Sequence, residues 1–164
     1  MIKKINFLFL SMFSLGCSKY ASGTVASFVT TLIFIFFYNF KINIIILILG
    51  VCLVFIYSVY SIDKFKTLFD EIDSSEIVID EFVGQSIPIL TIYTFLKENN
   101  LIDFILYTLA SFILFRIFDI LKPYPINKID QNMKNGFGVI LDDIVAGIYS
   151  IVILLTIIIF TYNA

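Results

Sequence analysis

The chain has 164 residues, of which 60% are hydrophobic and only 15% are charged. A soluble domain usually has about 45–50% apolar and about 25% charged residues, so this composition indicates an integral membrane protein and excludes an ordinary soluble one. The chain contains no histidine, which excludes histidine nucleophiles, bases and metal ligands and leaves carboxylates for acid–base or metal chemistry. Cys17 and Cys52 lack the spacing of a metal site, and Cys52 lies in an apolar run, where we expect a buried, unreactive thiol.

The N-terminus combines Lys3 and Lys4 with an apolar stretch that ends in Ser-Leu-Gly-Cys. Two interpretations stay open, a secretory signal with a lipoprotein-type cleavage site and a first helix that is interfacial or buried. Leu15 is bulkier than the residue usual at that point of a cleavage site, which favours the helix.

Five apolar segments follow, and they predict an all-α bundle in the membrane. They are Tyr20–Phe40, Ile42–Ile62, Ile77–Leu96, Phe104–Phe115 and Ile144–Tyr162. The first two are uncharged, and each has the roughly 20 residues needed to cross the hydrocarbon core. The third and fourth have shorter uncharged stretches, so they are either tilted spans or helices buried among the others.

The segment Asp63–Glu76 has a different character, because apolar residues recur in it at helical spacing with charges between them. This pattern predicts a short amphipathic helix at the membrane surface. The chain shows no internal repeat or linker, so residues 1–164 are expected to form one domain.

If all five segments cross, residues 1–23, 63–81 and 116–143 share one membrane face. That face carries nine cations, Lys3, Lys4, Lys19, Lys64, Lys66, Arg116, Lys122, Lys128 and Lys134. The other face carries only Lys41 and Lys97. By the positive-inside rule the nine-cation face is cytoplasmic, and all the polar motifs lie there.

The first polar motif opens the first span with Ser22, Gly23, Thr24 and Ser27. Small residues at a helix start let backbone N–H groups approach an anion, and the helix dipole favours a phosphate there. The alternative is that Thr24 only caps the helix.

The second motif is Asp80-Glu81 followed by Gly84. Adjacent carboxylates in an apolar helix are costly unless they are paired or bind a cation. Gly84, one turn beyond Asp80, would admit the backbone of a neighbouring helix. The alternative is a structural ion pair with Arg116 or Lys122.

The third motif lies in the polar stretch between the fourth and fifth apolar segments. Arg116, Asp119 and Lys122 follow at three-residue steps on one helix face, and Pro123 is expected to end that helix. Asp142 and Asp143 are predicted to stand at the start of the last helix, where negative charge also suits the dipole. The small residues at 146, 147 and 150 favour close packing of that helix, and Asp130 is either a ligand or exposed.

Together the motifs supply oxygen ligands and cations for phosphate chemistry on a lipid. The oxygen ligands are Asp80, Glu81, Asp119, Asp142 and Asp143. Such a set suits Mg²⁺, or Mn²⁺, rather than zinc or copper. Arg116, Lys122 and the helix start at Gly23 supply the complementary anion site. A metal there would activate water and neutralise charge on the phosphoryl group.

Three stretches, IVIDEFVGQ, FRIFDILKPYPI and GFGVILDDIVAGIYS, resemble the phosphatidylglycerophosphatase A family in residue type and order. The upstream GCSKYASGTVAS resembles the family's Gly-Thr-x-x-Ser loop, so the resemblance covers residues 16 to about 151. Lys19 and Ser22 stand where the family usually has proline, and Ala26 replaces a common glycine.

The resemblance implies a membrane enzyme that removes the terminal phosphate of phosphatidylglycerophosphate with Mg²⁺, giving phosphatidylglycerol at the inner membrane. By position it implies that the five carboxylates are catalytic and metal-binding. It implies that Gly23, Thr24, Ser27, Arg116 and Lys122 contact the substrate. A lipid bilayer and a phospholipid are the expected partners, and nucleic acid is not.

Two other functions use the same residues. A small cation or proton transporter would need ionisable residues near mid-bilayer and a path to both faces, whereas the charges cluster at one face. A phosphotransferase joining two headgroups would differ in its acceptor, an alcohol in place of water, and the chain lacks the longer aspartate series expected there.

Overall fold

The structure, a computed structural model, describes residues 2–65, 74–96 and 101–163, with the side chains of 161–163 left out. Within these ranges the chain is helical and has no strand. The helices are α1 (Ile2–Leu10), α2 (Ser22–Asn39), α3 (Ile44–Phe65), α4 (Ile79–Phe95), α5 (Leu101–Leu121), α6 (Ile126–Asn132) and α7 (Gly136–Asn163), with a 3₁₀ turn at Leu15–Cys17. The predicted all-α bundle is confirmed.

Among the residues that the structure describes, four helices are long and apolar enough to cross a membrane, and they are α2, α3, α5 and α7. Their outward faces carry many exposed isoleucine, leucine and phenylalanine side chains, as a lipid-facing surface requires. The fourth predicted segment is longer than expected, since α5 continues beyond Phe115 to Leu121. The prediction that Cys52 is buried is wrong, because this residue is exposed on α3.

The third predicted segment, α4, is not among these four helices, and the structure favours its interpretation as a buried helix. It has 17 residues, or about 26 Å of helix. It packs against α2, α3, α5 and α7 and lies at the centre of the bundle. Its polar Gln85 is buried and donates to Ser111 Oγ of α5 at 3.2 Å, which ties the central helix to a span.

Glycines set the close contact between α4 and α7. A Cβ atom on Gly84 would lie 2.7 Å from the backbone oxygen of Asp143 and 2.8 Å from its Cβ. Gly147, one turn along α7, lies in the same way against the backbone of Gly84. The predicted close approach at both glycines is therefore confirmed, and it brings the acids of the two helices together.

The start of α7 differs from the sequence prediction. The helix begins at Gly136, so Asp142 and Asp143 lie in its second turn and not at its start. Asp63, in the last turn of α3, accepts a hydrogen bond from Gly136 N at 2.7 Å and thereby caps α7. Asn135 also caps the helix locally, because its side-chain Oδ1 accepts a hydrogen bond from Gly138 N at 2.7 Å.

The predicted surface helix Asp63–Glu76 is wrong at both ends that the structure describes, because α3 continues through Asp63 to Phe65 and residues 74–76 are not helical. The rest of that prediction falls largely on residues 66–73, which are outside the described residues. Helix α1 packs on α3 through the buried Asn6, whose Oδ1 accepts hydrogen bonds from Tyr57 at 2.8 Å and Ser61 at 2.7 Å. Ile2 and Ile5, in its first turn, are exposed, consistent with the predicted interfacial helix.

Candidate active site

A cleft of about 440 Å³ opens at the end of the bundle where α2 and α4 begin and α5 ends. The three polar motifs meet in it, although they lie far apart in sequence. Its lining residues from these motifs are Ser22, Gly23, Asp80, Glu81, Arg116, Asp119, Lys122, Asp142 and Asp143. The predicted convergence on one end of the bundle is thus confirmed.

Three carboxylates form a tight cluster at the base of this cleft. One oxygen from each of Asp80, Glu81 and Asp143 lies within 4.8 Å of the other two. Asp80 and Asp143 are 8% and 3% exposed. Glu81 Oε2 and Asp143 Oδ2 are buried and accept no hydrogen bond from any described residue. Buried like charges at this spacing are costly unless a cation or protons neutralise them.

Asp119 lies beside the cluster and pairs with Arg116. Arg116 Nη1 is 2.7 Å from Asp119 Oδ2, one turn apart on α5. The same nitrogen lies 3.5 Å from Ser27 Oγ, which itself donates to Gly23 O on α2. The guanidinium is therefore held between α2 and α5 at the wall of the cleft.

Lys122 and Asp142 form a second ion pair. The helix α5 ends at Leu121, and Lys122 has a φ of 41°, so the predicted helix end before Pro123 is confirmed. Lys122 Nζ lies 2.9 Å from both Asp142 Oδ2 and Asp130 Oδ1, so Asp130 pairs with a cation and is not simply exposed. Burial alone would lower the pKa of Lys122, but the hydrogen bonds to Asp142 and Asp130 outweigh it and raise the pKa. Lys122 is therefore cationic over the whole neutral range.

The five predicted carboxylates thus fall into two groups. Asp80, Glu81 and Asp143 cluster with one another, whereas Asp119 and Asp142 each pair with a cation. Arg116 and Lys122, the partners considered for Asp80 and Glu81, form ion pairs with Asp119, Asp130 and Asp142. Whether all five act in catalysis stays a prediction.

Gly23 is the residue of α2 that lies against the acid cluster. A Cβ atom there would clash with Glu81 Oε1 and lie 3.2 Å from Arg116 Nη1. The first turn of α2, with its free N–H groups, therefore opens onto the cleft beside Glu81 and Arg116. Ser22 Oγ donates to Ser75 O at 2.9 Å and fixes this turn against the segment before α4.

The structure does not bring every predicted substrate-binding residue into the cleft. Thr24 lines a separate apolar groove on the outside of α2 and α5. Ser27 is fully buried beneath the cleft wall and does not line it. Six cleft residues had no predicted role in the site, and they are Ser18, Lys19, Ala21, Ser74, Ser75 and Ile77. They come from irregular segments next to the motifs, where sequence pattern carries little signal.

Replacing Lys122 by methionine should lower the free energy of unfolding by about 1–2 kcal/mol, a value discounted for the 30% exposure of this side chain. The change leaves Asp142 buried without its cation, so adding Asp142→Asn should recover part of the loss. The stabilisation that comes from a lysine with a raised pKa is fully present at every pH below the pKa of an unfolded lysine, which is about 10.4. The loss of stability in Lys122→Met should therefore be the same from about pH 6 to 9.

Thermal unfolding in detergent measures this effect, with the exposed Lys128→Met as the matched control. Equal unfolding midpoints for the two methionine variants would show that the pair with Asp142 contributes nothing to stability.

The chain is similar in sequence to known proteins. The profile of the family Phosphatidylglycerophosphatase A matches residues 8–158. The chain belongs to this family. It is therefore a phosphatase of the membrane, in agreement with the resemblance seen in the motifs.

Three curated relatives are similar to the chain. A Bacteroides thetaiotaomicron protein named "Putative phosphatidylinositol-3-phosphatase" is 34% identical over 87% of this chain and 86% of its own length. Phosphatidylglycerophosphatase A of Haemophilus influenzae is 41% identical over 52% of this chain and 47% of its own length. The Escherichia coli protein of that name is 38% identical over 48% of this chain and 41% of its own length. No solved structure matches the chain significantly.

Proposed function

We propose that this enzyme hydrolyses the terminal phosphate monoester of phosphatidylglycerophosphate and releases phosphatidylglycerol. The observation that carries the proposal is the cleft itself, where a buried cluster of three carboxylates adjoins Arg116 and the start of α2. The cleft opens at one end of a bundle with lipid-facing sides, so a phospholipid headgroup can reach it without leaving the bilayer.

The residues of the cluster fit a divalent cation. All the donors are carboxylate oxygens, which Mg²⁺ and Mn²⁺ prefer, and two of these oxygens are buried without a hydrogen bond from the described chain. Asp80, Glu81 and Asp143 would hold the ion, with Asp119 and Asp142 next to them. When bound, such an ion neutralises charge on phosphate oxygens and makes a nearby water more acidic.

The chain's own groups bind and orient the phosphate. The Arg116 guanidinium, fixed by Asp119, donates to the phosphate oxygens, and the free N–H groups of the first turn of α2 add further donors. Gly23 lets the phosphate lie close to that turn, because no Cβ occupies the space beside Glu81. Lys122 holds Asp142 in place and adds positive charge at the cleft mouth. Hydrolysis then needs one carboxylate to accept a proton from the attacking water.

A second substrate has support from one relative. The protein that aligns over most of both chains carries the name of a phosphatidylinositol-3-phosphatase. Both lipids present a phosphate monoester beside a phosphodiester, so the same cation and carboxylate set could serve either. The family match and the two other relatives favour phosphatidylglycerophosphate.

Phosphate release by the purified protein in mixed micelles tests the substrate. We expect release from phosphatidylglycerophosphate with kcat/KM at least about tenfold above that for phosphatidylinositol 3-phosphate. The opposite preference would identify the inositol lipid as the substrate. Absence of release from both would reject the proposed function, and cation flux in liposomes dependent on Asp80 would then favour a transporter.

We also propose that the cleft faces the cytoplasm of a bacterial inner membrane. The support is the distribution of Lys and Arg, since the polar end carries nine of the eleven cations in the sequence. In a variant with Cys17 and Cys52 replaced by serine, labelling of a cysteine introduced at Lys128 should occur only from the cytoplasmic side, and labelling from outside would reverse the orientation.

A further inference from the structure

A groove on the outside of the bundle adjoins the cleft. It has a volume of about 430 Å³ and is lined by Thr24, Phe112, Ile113, Arg116, Ile117, Ile120 and Leu121. Five of these seven side chains are apolar. Arg116 lines both the groove and the cleft, so the two spaces adjoin at its side chain.

The groove runs from the level of the cleft towards the bilayer interior. Its α5 residues form one continuous stripe from Leu121, beside Lys122, back to Phe112. This stripe is about 14 Å long. The rings of Phe28 and Phe112 meet edge to face at 5.8 Å and join α2 to α5 at the deep end. The groove therefore starts where a headgroup would bind and ends within the hydrocarbon.

Its walls remain exposed in the folded protein. Ile113, Ile117 and Ile120 are 58%, 43% and 67% exposed, although other faces of α5 are packed against α2, α4 and α7. The single hydroxyl in the lining, Thr24, stands on the first turn of α2, at the end nearest the cleft. A polar group at the top and apolar walls below match a glycerol ester followed by its fatty acyl chain.

We propose that this groove binds one acyl chain of the phospholipid substrate while its phosphate occupies the cleft. This inference rests on the proposed function. It gives Thr24 a role in lipid binding next to the ester region rather than contact with the phosphate. It also gives Arg116 two roles, since its guanidinium binds phosphate and its methylene stem forms the groove wall.

Replacing Ile117 by tryptophan fills the groove and tests the inference. We expect kcat/KM for phosphatidylglycerophosphate with two oleoyl chains to fall about tenfold or more relative to kcat/KM for the dihexanoyl lipid. The fall should come from a higher KM for the dioleoyl lipid and not from a lower kcat. Ile148→Trp is the matched control, because Ile148 on α7 is 45% exposed and lies outside the groove. That control should leave the ratio of the two substrates unchanged.

Two results would overturn the inference. One is an equal effect of Ile117→Trp on both lipids in protein that keeps the wild-type unfolding midpoint, and the other is no effect on either. If wild-type protein hydrolyses neither lipid, the proposed function fails instead, so the two failures are distinguishable.

A second measurement does not depend on the folding of a variant. Wild-type protein is irradiated with phosphatidylglycerophosphate that carries a diazirine on one acyl chain, and labelled peptides are mapped by mass spectrometry. Excess unlabelled substrate should reduce labelling of 112–121 but not of the lipid-facing side of α7. Equal competition at both surfaces would show general lipid contact and reject a specific groove.

Discussion

Replacing Asp143 by asparagine is expected to lower phosphate release from phosphatidylglycerophosphate by on the order of 10³-fold. The amide keeps the size of the side chain but removes one of the three clustered carboxylates that would hold the cation. Without added metal, the unfolding midpoint should stay level or rise, because the change relieves repulsion among buried acids. Loss of activity with retained stability would separate a functional role from a structural one.

Metal binding gives a readout independent of activity. Added Mg²⁺ should raise the unfolding midpoint of the wild-type protein and have little effect on Asp143→Asn. Asp103→Asn, at the opposite end of α5, is the matched control and should respond to Mg²⁺ as the wild type does. If Asp143→Asn keeps the Mg²⁺ response and the activity, the cluster is not the metal site.

Replacing Gly84 by alanine should both destabilise the fold and inactivate the enzyme. The new Cβ would lie 2.7 Å from the backbone oxygen of Asp143 and 2.8 Å from Phe115 Cε2, so α4 and α7 must separate. Such overpacking costs about 1–3 kcal/mol. It also moves Asp80 and Glu81 away from Asp143, and a displacement of about 1 Å in a catalytic site can cost about 100-fold in rate.

Gly50→Ala is the matched control for this change. Gly50 lies in α3, and a Cβ atom on it would meet no neighbouring part of the described chain within 4 Å. The substitution should leave activity unchanged and should raise stability by up to about 1 kcal/mol through helix propensity. Thermal unfolding and phosphate release measure both effects, and indistinguishable results for the two alanine variants would contradict the close packing of α4 on α7.

Much of the fold could be predicted because the bilayer restricts the choice. Long uncharged segments must be helices there, and alternating directions place every second connection at the same end. The motifs at Gly23, Asp80 and Arg116 could therefore be assigned to one end of the bundle before any contact was known. Gly84 was also identifiable, since a glycine one turn from buried acids indicates a close helix contact.

The pairing of the acids could not be predicted in the same way. Asp119 and Asp142 have the same residue type as Asp143 and lie in the same motifs, so sequence gives them the same role. The three-residue step on α5 allows the pair of Asp119 with Arg116, but it does not show that this contact forms in place of others. The partner of Asp142 depends on the turn at Lys122, which places the lysine amine between Asp130 and Asp142. That second pair and the clustering of the other three acids are tertiary properties, which sequence does not show.

Helix ends and side-chain faces account for the other differences. The start of α7 at Gly136 is fixed by two caps, Asn135 directly before the helix and Asp63 from 73 residues away, and only the first of them could have been read from the local sequence. Thr24 follows Gly23 directly, yet one step of about 100° around the helix axis turns it from the cleft to the groove. Neighbours within a motif can therefore serve different parts of one substrate.

Phosphate release by EDTA-treated wild-type protein, before and after Mg²⁺ is restored, decides whether this is a metal-dependent lipid phosphatase. With phosphatidylglycerophosphate in mixed micelles, we expect no release in EDTA and full recovery when Mg²⁺ is added in excess. Release that continues in EDTA would contradict a metal at the Asp80, Glu81 and Asp143 cluster.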